Sequence, residues 1–151
     1  REIPPAVDRL AMVQALIRGD DGQPITGLEV SDAEIRRGGP SYTVTTLQEL
    51  REANPGAELY LIIGRDLVDD FGSWHESTEI ERLATIVVVD RPGYVSDAKR
   101  GWKLLVVPPV DVSSTELRDR LRDGRDVSAH MTQAVVDEIH QRGLYGVGAS
   151  A

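Results

Sequence analysis

Glu58-Leu59-Tyr60-Leu61-Ile62-Ile63-Gly64 reads as one continuous apolar strand closed by a glycine. It lacks the apolar–polar alternation of a half-exposed strand, which is the pattern of a strand buried on both faces of a parallel sheet. Two further runs repeat it, residues 84–89 (A-T-I-V-V-V) and 103–107 (K-L-L-V-V). Helical periods flank them. Residues 43–54 form a helix with Leu47 and Leu50 inward and Pro55-Gly56 as its stop. A helical period resumes at 67–71, and residues 79–83 form a further helix. Residues 113–122 place Leu117 and Leu121 on one face, and 132–142 turn Val135, Val136 and Ile139 inward before Gly143. Upstream, Ala6, Leu10, Val13 and Ile17 form a helical stripe after Pro4-Pro5, and residues 25–30 read as a short strand. Strand alternating with helix predicts an α/β fold, a parallel sheet flanked by helices, in a single domain over residues 1–151.

Ligands of such sheets bind beyond the carboxyl ends of the strands. That rule selects Gly64-Arg65-Asp66, Arg91-Pro92-Gly93 and Ser113-Ser114-Thr115, each just after an apolar run. The last opens a helix, with Glu116 in its first turn and Arg118 one turn in. Free N–H groups, three hydroxyls and an arginine make an anion site, although the same residues also serve as ordinary caps.

With 151 residues the chain has room for one sizeable core, and its net charge of −8 argues against a nucleic-acid surface. A nucleotide substrate needs only a local cationic pocket. Zero cysteines exclude disulfides, thiolate metal sites and a cysteine nucleophile. No run of eighteen apolar residues occurs, so a cytoplasmic protein without a membrane partner is expected. A homo-oligomer is left open.

Single residues carry two readings each. Gly64-x-Asp66 is an ordinary strand-ending turn, or a glycine admitting a ligand with a carboxylate that accepts from ribose hydroxyls. Trp74 covers a core edge or stacks on a flat heterocycle. Arg91 is a solvated loop cation or a phosphate contact. Thr43 and Thr46 are helix-start residues. His75, His130 and His140 show no ligand or triad spacing and read as structural or exposed. No acidic pair has metal-site spacing, and neither G-x-x-x-x-G-K-[ST] nor G-x-G-x-x-G occurs.

Taken in order, the motifs resemble the bacterial nicotinate-mononucleotide adenylyltransferase family. The resemblance rests on Gly39-Pro40-Ser41-Tyr42-Thr43-Val44-Thr45-Thr46-Leu47, then Gly64-Arg65-Asp66 followed eight residues later by Trp74. It continues through Arg91-Pro92-Gly93, Val112-Ser113-Ser114-Thr115-Glu116-Leu117-Arg118 and Gly143-Leu144-Tyr145, with Arg9, Met12 and Ala15 on an earlier helix. It implies a Rossmann-like nucleotidyltransferase fold and an enzyme that joins the AMP part of ATP to nicotinate mononucleotide, releasing pyrophosphate. By that resemblance Ser113, Ser114, Thr115 and Arg118 meet the ATP phosphates, with Arg118 as the catalytic cation. Gly64 and Asp66 hold the adenosine ribose, Arg91 borders the nucleotide, and Trp74 stacks on the pyridine ring near Tyr42 and Thr43. Mg²⁺ travels on the ATP phosphates, with no protein metal site.

Two departures stand out. Thr45 stands where the family is usually acidic. The family's first βα unit, with its G-G-T-F-D-P-x-H-x-G-H segment, does not occur, and the chain opens Arg1-Glu2-Ile3 without a methionine. The expectation is a chain that starts inside a longer protein and is by itself a poor catalyst. The rival readings are a non-catalytic nucleotide-binding module and a related adenylyltransferase acting on nicotinamide mononucleotide or phosphopantetheine.

Overall fold

The computed structural model describes residues 3–19, 22–90, 101–108 and 111–148. In chain order its elements are α1 (Ala6–Leu16), α2 (Ala33–Arg37), α3 (Thr43–Ala53), β1 (Tyr60–Gly64), α4 (Ser77–Leu83), β2 (Thr85–Asp90), β3 (Lys103–Val106), α5 (Ser114–Arg122) and α6 (Gln133–Gln141). Short 3₁₀ turns at Arg65–Leu67, Phe71–Ser73 and Leu144–Gly146 complete it. The chain divides into two compact units, one formed by 38–110 and one by 1–37 with 111–151.

The first unit is built on a parallel sheet of order β1-β2-β3, with Ile63, Val88 and Leu104 in register. In β2 the inward positions Ile86, Val88 and Asp90 are buried in alternation with half-buried ones. Ile63, Ile86 and Val88 join Val44 and Leu47 of α3, Phe71, and Ile80 and Leu83 of α4 in one core. Fully burying an aliphatic or aromatic side chain of this size is worth about 1.5–3 kcal/mol, so this core holds the sheet and helices together.

Three expectations for this unit are corrected. β1 is not buried on both faces, because Tyr60 is 48% and Ile62 62% exposed. An all-apolar run shows that a strand suits a sheet interior, not that both faces are covered. In α3 it is Val44, not Leu50, that accompanies Leu47 into the core. At about 100° per residue, Val44 and Leu47 lie about 60° apart and Leu50 a further 60° round the helix. Residues 67–71 do not form a helix. Val68 and Phe71 are both buried three residues apart, a spacing that 3₁₀ turns place on one side.

The second unit packs α1 against α6 around Ala15, Leu121, Val127, Val135, Ile139 and Val147. Arg142 ties the two helices at their surface, donating from Nη1 to Asp8 at 2.8 Å and from Nε to Glu138. Gly143 takes the left-handed conformation, φ +61°, that ends α6. The stripe expected on α1 is rotated, since Val13 is exposed while Ala15 is buried with Met12 packed beside it. Apolar residues surround α1, so their spacing does not fix its phase. Residues 25–30 do not form a strand. Gly27 turns at φ +85°, Ile25 donates to Ile17, and Ile25 and Leu28 stay exposed. The charged segment after them contains α2. Among the described residues no helix is long and apolar enough to cross a membrane.

Candidate functional site

Tyr42 and Thr43 stand where extended chain enters α3, which is fixed in place by Val44 and Leu47 in the core. Trp74 follows the turn that buries Phe71, and Ile80 anchors α4 just beyond it. These two anchored corners enclose a cavity of about 220 Å³ lined by Ser41, Tyr42, Thr43, Trp74, His75 and Ile80. The structure therefore brings together Tyr42, Thr43 and Trp74, which the sequence analysis assigned to one ligand. Trp74 rests on Phe71 with ring centroids 5.2 Å apart, and the His75 ring lies 4.3 Å from that of Tyr42.

His75 was not among the expected site residues. It is half-exposed, with Nε2 3.2 Å from Glu76 Oε1. Glu76 adopts φ +52°, a left-handed conformation that costs a non-glycine residue about 1–3 kcal/mol. Backbone strain thus sits immediately beside the cavity. The adjacency of His75 to Trp74 was visible in the sequence, but its proximity to Tyr42 depends on how α3 and α4 pack.

At the carboxyl end of β1, Gly64 has ordinary extended backbone angles, φ −72° and ψ 153°. Its missing side chain has a different use. A Cβ there would lie 2.5 Å from Oδ1 of Asp66, so the glycine makes room for the carboxylate that follows. Gly64 and Asp66 are therefore one device, with Asp66 exposed in the turn after the strand. Arg65, between them, lies with Nε 3.9 Å from Oδ2 of the buried Asp90 at the end of β2. Arg65 was expected only as part of the rim segment 64–66, and its contact with Asp90 was not foreseen, because only the sheet register brings the two together. Arg91 lies outside the described residues.

In the other unit, Ser113 caps α5 by accepting the Glu116 N–H at 3.1 Å. That satisfies one of the helix's leading donors and leaves those of Ser114 and Thr115 at its exposed first turn. The arginines of α5 divide by partner. Arg120 binds Glu116 at 2.6 Å and Arg122 binds Asp119 at 2.8 Å. Arg118 instead lies 5.5 Å from the ring centre of Tyr145. A ring face attracts a cation without consuming its N–H donors. Tyr145, at φ +59° just past Gly143, donates to the Met12 sulfur at 3.9 Å, which holds it in place. Ser113, Ser114, Thr115 and Arg118 thus share one helix end, as expected. Tyr145 was noted only as part of a closing motif.

The titration of two surface carboxylates, the half-buried Glu79 and the exposed Asp126, fits simple local causes. Arg82 hydrogen-bonded to Glu79 holds that carboxyl below its ordinary range, and the Ser128 N–H does the same for Asp126. Both lie outside the clusters above.

The chain as a whole is similar to known proteins. Residues 1–120 match the family model described as cytidylyltransferase-like. A protein of Thermus thermophilus named "Probable nicotinate-nucleotide adenylyltransferase" is 44% identical over 77% of this chain and 63% of its own length. One of the same name from Dehalococcoides mccartyi is 38% identical over 96% of this chain and 74% of its own. The chain thus spans under two thirds of the Thermus relative. Among solved structures, Plasmodium falciparum nicotinic acid mononucleotide adenylyltransferase complexed with NaAD superposes with a TM-score of 0.75. It covers 99% of this chain and 78% of its own at 19% identity, a likeness of fold. That likeness and the parallel sheet make the fold Rossmann-like, of the nucleotidyltransferase kind.

Proposed function

The chain belongs to the nicotinate-nucleotide adenylyltransferases of the cytidylyltransferase-like family, and on that premise we propose that its protein joins the adenylyl group of ATP to nicotinate mononucleotide. The observation that carries the reading is the cavity in which Tyr42, Thr43, Trp74 and His75 meet. An aromatic-walled recess with a threonine at its rim suits a flat pyridine ring with a polar substituent. Similar proteins named for this reaction support the substrate class.

In this reading Trp74 stacks on the pyridine ring, with Tyr42 and Thr43 beside it. Gly64 and Asp66 serve the adenosine ribose, and Arg91 borders the nucleotide. Ser113, Ser114, Thr115 and Arg118 meet the triphosphate through N–H groups, hydroxyls and a guanidinium. A phosphate oxygen of the mononucleotide attacks the α-phosphorus of ATP as the bond to the β-phosphate oxygen breaks. Pyrophosphate leaves with that electron pair. No protein nucleophile is needed, so the residues act by positioning and by offsetting negative charge. Arg118 is the cation assigned to that charge. Among the described residues no three His, Asp or Glu side chains converge to hold a metal. Mg²⁺ is assigned to the triphosphate oxygens as part of the substrate.

The test is binding followed by turnover. The full protein to which this chain belongs is titrated with nicotinate mononucleotide by tryptophan fluorescence and with ATP by calorimetry. Both are then supplied with Mg²⁺, and pyrophosphate and the dinucleotide product are measured. Product formation that is weakened by R118Q is the expected result. Binding of neither ligand would sink the proposal, whereas binding of both without product would favour a non-catalytic nucleotide-binding module.

A further inference from the structure

Asp90 is a buried charged side chain, only 4% exposed. It occupies the inward position of β2 that follows Ile86 and Val88, where the alternation calls for a third apolar residue. A carboxylate there is costly to desolvate unless it is paired. Among the described residues a cation that it faces is Arg65, whose side chain is 34% exposed. At 3.9 Å the contact is an attraction between charges and not a two-bond fork. A guanidinium carries five N–H donors, and that of Arg65 makes no hydrogen bond with another described residue. A pair present only to stabilise the sheet would close the fork. Here the buried charge holds the cation at the carboxyl edge of the sheet, between Gly64 and Asp66, and leaves its donors available.

Resting on the function proposed above, we propose that Arg65 binds a phosphate group of a nucleotide substrate and that Asp90 is the residue that positions it. Planar donors at a strand end match the oxygens of a phosphate. The phosphate belongs either to ATP or to the mononucleotide, and the experiment separates them.

The full protein to which this chain belongs and its R65Q, R65K, D90N and R65Q/D90N variants are titrated with ATP, with adenosine, with nicotinate mononucleotide and with the riboside that lacks its phosphate. R65Q is expected to weaken one of the two nucleotides by about tenfold or more, the range for a charge-assisted hydrogen bond, and its nucleoside not at all. The nucleotide affected identifies the phosphate. D90N should weaken the same ligand, and the double variant should lose no more than R65Q alone. R65K should recover part of the loss. R65Q binding both nucleotides as tightly as the unaltered protein, or weakening nucleoside and nucleotide equally, overturns the proposal. If D90N fails to fold, D90E must retain the affinity that R65Q loses, and failure to do so removes the role of Asp90. An unaltered protein that binds neither nucleotide refutes instead the function on which the inference rests.

Discussion

Replacing Gly64 by alanine separates folding from binding. Its backbone angles suit any residue, so alanine brings no strain of its own. The added carbon would meet Asp66 Oδ1 at 2.5 Å and its Cγ at 3.7 Å, so the carboxylate must retreat by about 1 Å to regain an ordinary contact. Glycine-to-alanine at a compatible site gains about 0.4–1 kcal/mol through the unfolded chain. Moving one exposed side chain off its preferred rotamer costs about 0.5–1.5 kcal/mol, so net stability should change by less than about 1 kcal/mol. Binding should change more. A hydrogen bond to a charged group is worth about 1.5–3 kcal/mol, and at 1.4 kcal/mol per decade its loss weakens ATP by about 10- to 100-fold. Urea denaturation and ATP calorimetry on G64A, D66A and the double variant test both halves. The double variant should bind no worse than D66A. G64A binding ATP normally while D66A does not would refute the claim that Gly64 exists to admit the Asp66 carboxylate.

Other outcomes follow from single contacts. W74F keeps a ring on Phe71 but reduces the stacking surface; since base–aromatic stacking is worth about 1–3 kcal/mol, mononucleotide affinity should fall several-fold with ATP affinity unchanged. S113A removes the cap on α5 and should cost about 1 kcal/mol in urea denaturation, whereas S113G should cost only a few tenths. I139A empties a position 1% exposed in the core of the helical unit and should cost about 2–5 kcal/mol by the same measurement. Asp126 accepts the Ser128 N–H at 2.9 Å, which lowers its pKa in the folded protein. Its stabilisation is complete above the usual aspartate value of about 3.9 and is lost as pH falls through the lower folded value. D126N should therefore lower the urea midpoint at pH 7 and flatten its acid decline.

How much of this was legible in the sequence depended on the range of the interaction involved. The three strands, their parallel order and the helix that opens at Ser113 follow from local runs and caps, and all of them form. Where the outcome depended on packing, local pattern fell short. The apolar content of Tyr60 and Ile62 suited a sheet interior but could not say that one face stays open. Apolar residues all round α1 left its phase undetermined, so Val13 was expected where Ala15 is buried. In residues 25–30 the β-branched and apolar letters were outweighed by Gly27, which turns the chain just after the isolated bridge between Arg18 and Pro24.

The arginines of α5 show where local reasoning reaches as far as a functional residue. Glu116 and Arg120 stand four apart and Asp119 and Arg122 three apart, spacings that bring helix side chains together. Arg118 has Ser114 and Thr115 behind it and Leu121 and Arg122 ahead at those same spacings, and none is acidic. The helix's own charge pattern therefore leaves Arg118 available before any tertiary contact is known, and the ring of Tyr145 holds it without using its donors. Arg65 has no such signature. Its partner Asp90 is remote in sequence and meets it only because β1 and β2 pair in parallel with Gly64 opposite Val89, which carries the next residues of both strands to the same edge. A cation selected by helix spacing can be read from letters, while one selected by strand register requires the fold. For that reason the two arginines call for different proofs: R118Q tests a role the sequence already pointed to, and the R65Q/D90N pair tests a coupling that exists only in three dimensions.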